Sequence, residues 1–132
     1  MNKSIFKYFL APLCVLLFST QCEDDIAPFN QEVEQQELTT LKAEIENLAT
    51  TAICDDTFEC KFIAFGAKPC GGPWGYLVYS TSIDTELLES LVEGYNRKEA
   101  IYNTTWNVVS DCAFATPPES VTCENNTCVA MY

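Results

Sequence analysis

Cys54, Cys60, Cys70, Cys112, Cys123 and Cys128 are the residues of this chain with the most chemistry open to them. Thiols can close disulfides, hold a soft metal ion or exchange electrons with other thiols. Five residues separate Cys54 from Cys60 and four separate Cys123 from Cys128, so neither pair is a C-x-x-C redox unit. The sequence contains no histidine, which removes the commonest zinc and haem ligand together with Ser-His-Asp and Cys-His nucleophilic schemes. Three disulfides are the favoured use of six such cysteines, and bridges of that kind imply an oxidising compartment outside the cytoplasm. Spacing does not select one connectivity. A Cys70–Cys112 bond, for example, would close a loop long enough to stabilise by about 4 kcal/mol through the unfolded chain's entropy. A hairpin turning on Asn125-Asn126 would set Cys123 opposite Cys128, within reach of a cross-strand bridge.

Other chemistry is thin. Asp55 and Asp56 are adjacent carboxylates that read as solvated loop residues rather than as an acid-base pair or a calcium site. The stretch Gly66 to Gly75 is glycine-rich, yet no Lys-Ser or Lys-Thr follows the glycines and no helix begins there, so it is not a phosphate cradle. Asn103-Thr104-Thr105 and Asn125-Asn126-Thr127 match the glycosylation sequon as chance occurrences. No catalytic residue, cofactor or metal ligand is assigned. The remaining candidates are Lys68, Trp74 and Tyr76, one cation and two aromatic rings gathered around Cys70 with Pro69 and Pro73. A stiff aromatic loop suits recognition because little entropy is lost on binding. The competing reading puts Trp74 and Tyr76 in the core.

These side chains need elements to hold them. From Gln31 to Ala52, Val33, Leu38, Leu41, Ile45, Leu48 and Ala52 recur at helical spacing. Phe58 to Phe65 and Tyr76 to Thr81 are aromatic and β-branched, with a bend-rich loop between them, the pattern of strand, loop and strand. A helix begins at Asp84, whose carboxylate caps free N–H groups, with Ile83 and Leu88 as a hydrophobic staple, and ends near 103–106. Val108 to Phe114 resumes strand character, and Ser120 to Tyr132 reads as the Asn125-Asn126 hairpin. The expected fold is α+β, a small disulfide-stapled antiparallel sheet with two helices in the order α-β-β-α-β-β-β. Roughly 80 residues remain for the core, near the size at which burial alone is marginal and covalent staples compensate.

The N-terminus supplies an address. Lys3 and Lys7 precede an apolar run from Tyr8 to Phe18 that has secretory-signal length and is shorter than the roughly 20 residues a membrane span needs. Ser19-Thr20-Gln21-Cys22 then resembles the lipobox of bacterial lipoproteins, departing from it at Ser19 and Gln21. Glu23-Asp24-Asp25 resembles the acidic export signal of Bacteroidetes-type surface lipoproteins. The division that follows is a signal peptide over residues 1–21, a lipidated Cys22 and acidic tether over 22–30, and one disulfide-rich domain over 31–132. Without the leader, the chain carries five basic residues against nineteen acidic ones. Clustered Lys and Arg are what nucleic-acid binding requires, so a polyanion is not an expected partner.

From Cys60 onward, the run Lys68-Pro69-Cys70-Gly71-Gly72-Pro73-Trp74-Gly75-Tyr76-Leu77-Val78-Tyr79-Ser80, with Tyr95-Asn96, Ser110-Asp111-Cys112, Pro117-Pro118 and Cys123…Cys128, resembles a group of small secreted or lipid-anchored bacterial proteins with a K-P-C-G-G-P-W-x-Y-L-x-Y-S core. The resemblance implies a compartment and a shared fold without an activity. The expectation is a non-catalytic surface module anchored by lipid to the outer membrane, facing the exterior and binding an extracellular protein or envelope ligand. The alternatives are an inhibitor of extracellular proteases and a structural envelope lipoprotein. A trypsin-directed inhibitor would present Lys68, with Pro69 unfavourably placed beside the scissile bond.

Overall fold

The computed structural model describes residues 30–132; the leader, Cys22 and the acidic triplet behind it lie outside the described residues. Helix α1 spans Gln31–Thr50, and its cap is Asn30, whose Oδ1 accepts from the Glu32 N–H at 2.9 Å. The anticipated stripe is the buried one: Leu38, Ile45 and Ala49 are buried with Leu41 and Leu48 packed beside them. Val33, in the first turn, lies beyond the core and is exposed, and Ala52 falls past the helix end. Strands β1 (Cys60–Phe65) and β2 (Gly75–Ser80) pair antiparallel from Cys60 opposite Ser80 to Phe65 opposite Gly75.

Helix α2 covers Thr85–Thr105, and the Asp84 carboxylate accepts from the Leu87 N–H at 3.0 Å, the expected cap. Leu88, Val92, Tyr95 and Tyr102 face inward, and the two helices lie against the β1–β2 hairpin. Full burial of Ile45, Leu88 and Val92 stabilises by about 2 kcal/mol each. Tyr102 accepts from the Gln31 amide at 3.3 Å, and Trp106 Nε1 donates to Glu34 at 2.9 Å, so polar contacts tie the start of α1 to the end of α2.

Strands β3 (Ser120–Glu124) and β4 (Thr127–Met131) form a second two-stranded sheet. Asn125 and Asn126 both take positive φ, 51° and 62°, the left-handed pair that a tight hairpin turn demands. The fold is α+β in the expected succession, with its strands in two hairpins. The stretch 108–118 forms no strand: it runs without turn, bend or ladder pairing. It is fixed by the Val108 N–H bond to the Asn103 carbonyl at 3.0 Å, by side-chain bonds to the 66–74 loop and by buried Pro118, and β1 and β2 already pair with each other.

Among the described residues three disulfides form, Cys54–Cys123, Cys60–Cys128 and Cys70–Cys112. Cys123 does stand opposite Cys128 in the β3–β4 register, but the expected bridge between them does not form. Opposed positions on paired strands point to one face, and that face rests on the 54–60 segment, so each sulfur meets a cysteine from outside its own hairpin. The Sγ atoms of Cys54, Cys60 and Cys128 lie within 4.8 Å of one another. The Asn126 amide adds a bond to the Cys54 carbonyl at 3.1 Å, and the Cys54 N–H returns one to the Asn126 carbonyl at 3.1 Å. A lone hairpin is marginal in water, and these links make the second hairpin part of the domain. Among the described residues, no helix is long and apolar enough to cross a membrane.

Candidate functional site

The loop between β1 and β2 is shaped by local hydrogen bonds: Lys68 N–H to the Gly72 carbonyl at 2.8 Å, Gly71 N–H to the Lys68 carbonyl at 2.9 Å, and Trp74 N–H to the Phe65 carbonyl at 3.1 Å. Helix α2 then clamps its base. Asn96 Oδ1 accepts from the Gly66 N–H at 2.7 Å while its amide donates to the Ala64 carbonyl at 3.0 Å. Glu99 accepts from the Ala67 N–H at 2.5 Å, and the Asn103 amide donates to the Ala67 carbonyl at 2.7 Å. Positions 96, 99 and 103 share one helix face, so a polar stripe on α2 reads the loop backbone. Asn103 is therefore a buried loop clamp rather than an open sequon.

Trp74 projects from this frame, 44% exposed. Lys68 lies behind it, Nζ 5.0 Å from the ring centroid, and also donates to Asp111 Oδ1 at 3.1 Å and to the Ala113 carbonyl at 2.5 Å. With its side chain only 9% exposed, Lys68 is a strut and not a free cation, and it is not positioned to enter a trypsin-like pocket. Gly66 faces the indole: a Cβ there would stand 2.6 Å from Trp74 Cδ1, and φ is +83°, so the position requires glycine. Tyr76 is half-buried and meets Phe62 edge-on at 5.7 Å.

Beside Trp74 lies an open cleft of about 260 Å³. Phe65, Tyr76, Leu77 and Tyr95 supply its apolar wall, and Lys42 and Glu46 reach over it from α1. The two charged groups stand 4.0 Å apart, one turn from each other and half exposed, a weak pair free to turn toward a ligand. Lys42 Nζ is 6.0 Å from the Phe65 centroid. Burial, then the charge of Glu99, holds the Tyr95 phenol well above its usual range, so it remains a hydroxyl that donates to Glu99 at 3.0 Å. The cleft thus offers aromatic faces, one cationic donor and one anionic acceptor. A larger cavity of about 440 Å³ between α1, β2 and β4 is lined mainly by small and aliphatic side chains, with Tyr79 its one aromatic.

Of the three residues expected around Cys70, Trp74 and Tyr76 line the cleft, while Lys68 is turned inward behind the indole. The sequence reading missed Lys42, Glu46, Phe65 and Tyr95, although the first two flank the α1 stripe one turn apart. Asp55 is occupied in its own loop, where Oδ1 accepts from the Thr57 and Phe58 N–H groups at 2.7 and 3.0 Å. Comparison with protein-family models, with curated proteins and with solved structures gave no match.

Proposed function

We propose that this protein is a non-catalytic binding module, held by lipid at Cys22 on the exterior of the outer membrane, that takes an extracellular or envelope ligand in the cleft beside Trp74. The observation that carries this reading is the Trp74 ring, left 44% exposed on a loop whose backbone is clamped by α2 and whose indole is backed by Lys68. An aromatic plate already fixed in place gives up little freedom when a partner lands on it. A purely structural role has no need of such a plate, and this favours the binding reading over the structural one. The leader, the lipobox-like Ser19 to Cys22 and the acidic triplet support the compartment, and three bridges suit life outside the cytoplasm.

Two measurements test the proposal. Palmitate labelling with intact mass should show acylation that Cys22→Ser abolishes; an unlabelled chain in the soluble fraction would refute the anchor. Tryptophan fluorescence titrated against envelope polysaccharides and extracellular proteins should find a ligand whose binding falls at least tenfold in Trp74→Ala. A ligand indifferent to that change would refute the cleft.

A further inference from the structure

Residues 108–118 carry a surface that the cleft does not use. Phe114 is 88% exposed and Val109 89% exposed, although a large apolar side chain in open water is unfavourable. The segment is nonetheless held. Cys112 is bonded to Cys70, and Lys68 grips Asp111 and the Ala113 carbonyl on either side of it. On the far side Pro118 is buried, and the Glu119 N–H donates to the Met131 carbonyl at 2.8 Å. Between these fixings the backbone keeps negative φ and makes no turn. Among the described residues, no backbone N–H from Val109 to Thr116 meets an acceptor.

A pinned segment without turns, with unpaired backbone N–H groups and a projecting aromatic side chain, suits what a serine endopeptidase binds in its substrate groove. There, strand pairing supplies the main-chain bonds and one side chain fills the primary pocket. We infer that residues 111–116 form a protease-blocking loop, with Phe114 entering the apolar primary pocket of a chymotrypsin-like secreted protease. Protease pockets select mainly by that one side chain, and an apolar slot accepts an aromatic ring. The acidic surface adds attraction to a basic enzyme.

Fixing on both sides also explains how such a loop blocks without being consumed. Attack of the enzyme's serine oxygen on the Phe114 carbonyl carbon would break the Phe114–Ala115 amide, form the acyl ester and pass the serine proton to the Ala115 amine. The disulfide and Lys68 hold one new end and Pro118 with β3 holds the other, so the amine stays in place to reverse the step.

The test uses the full oxidised chain in detergent against α-chymotrypsin, with trypsin as the comparison enzyme. Stoichiometric inhibition of chymotrypsin is expected, weakened at least a hundredfold in Phe114→Gly and redirected toward trypsin in Phe114→Lys. Exposure of Phe114 makes these changes neutral for folding, which near-ultraviolet dichroism verifies. Inhibition of chymotrypsin reads the loop and the tryptophan-fluorescence titration reads the cleft, so failure of the one and failure of the other are separable. Undiminished chymotrypsin activity in micromolar excess of the protein overturns the inference. So does cleavage after Phe114 at substrate rates, or inhibition that Phe114→Gly leaves intact.

Discussion

Lys68 shows how a single residue changes meaning once its neighbours are placed. In the sequence it is a basic side chain in an exposed-looking loop; folded, its ammonium has an indole, a carboxylate and a carbonyl around it. An ammonium so surrounded is more useful as a brace than as bait, and it connects the two surfaces assigned to recognition. Two tyrosines are held in a comparable way. Burial and a bond to Glu89 at 2.6 Å keep the Tyr79 phenol protonated far above its usual range, as burial and Glu99 do for Tyr95. Below a pH of about 10 both the folded and unfolded chains keep these protons, and pH has no leverage through them. Above it, the unfolded chain ionises while the native one does not, so stability falls as pH climbs toward the native values. Absorbance at the phenolate band should therefore show two phenols that ionise late, and the late phase should vanish in Tyr79→Phe combined with Tyr95→Phe. A single transition in the ordinary tyrosine range would contradict the burial described for both.

At the scale of elements, the signals that the sequence displayed were the periodic and the capping ones. The α1 stripe from Leu38 to Leu48, the Asp84 cap and the Asn125-Asn126 turn are each set by a few neighbouring residues, and these stand where they were expected, whereas Val33 and Ala52 fall outside the buried stripe. What was not legible depended on contacts distant in sequence. The 108–114 stretch has strand-forming residues but finds no edge to pair with, and the faces of β3 and β4 decide that Cys123 and Cys128 seek Cys54 and Cys60. The cleft was half legible for the same reason: Trp74 and Tyr76 announce themselves, whereas Tyr95 joins them only once α2 packs on β1. The turn allows a quantitative check. Asn126 combines a φ of 62° with an amide bond to the Cys54 carbonyl, so Asn126→Ala loses a bond and places a Cβ in the left-handed region. A loss of about 2 kcal/mol is expected. Asn125 makes no such side-chain bond, and Asn125→Gly should be neutral or stabilise by up to about 1 kcal/mol. Urea unfolding of the two variants measures this, and equal destabilisation of both would show that the Cys54 link contributes nothing.

For the molecule as a whole, the bridges divide the work between fold and function. Cys54–Cys123 and Cys60–Cys128 bind the second hairpin to the first across sequence separations of 69 and 68 residues. Loops of that length correspond to about 4 kcal/mol each in the chain-entropy model, and because they overlap the two contributions do not add in full. Cys70–Cys112 instead ties the loop of Trp74 to the segment of Phe114, so it fixes both recognition surfaces while standing outside the core. Accessibility should make the difference visible. Cys70 and Cys112 are both exposed, whereas each long bridge has a covered sulfur: Cys54, bonded to exposed Cys123, is wholly buried, and Cys60 and Cys128 are partly covered. A limiting amount of phosphine, followed by alkylation and peptide mass mapping, should label Cys70 and Cys112 first. The partly reduced protein should keep its helical dichroism while proteolysis opens residues 108–118. Removing Cys54–Cys123 and Cys60–Cys128 together should abolish cooperative unfolding, because a small core then has to order a detached hairpin unaided. Labelling of Cys54 ahead of Cys70, or cooperative unfolding that survives without both long bridges, would mean that the apolar core and not the sulfur holds the two hairpins together.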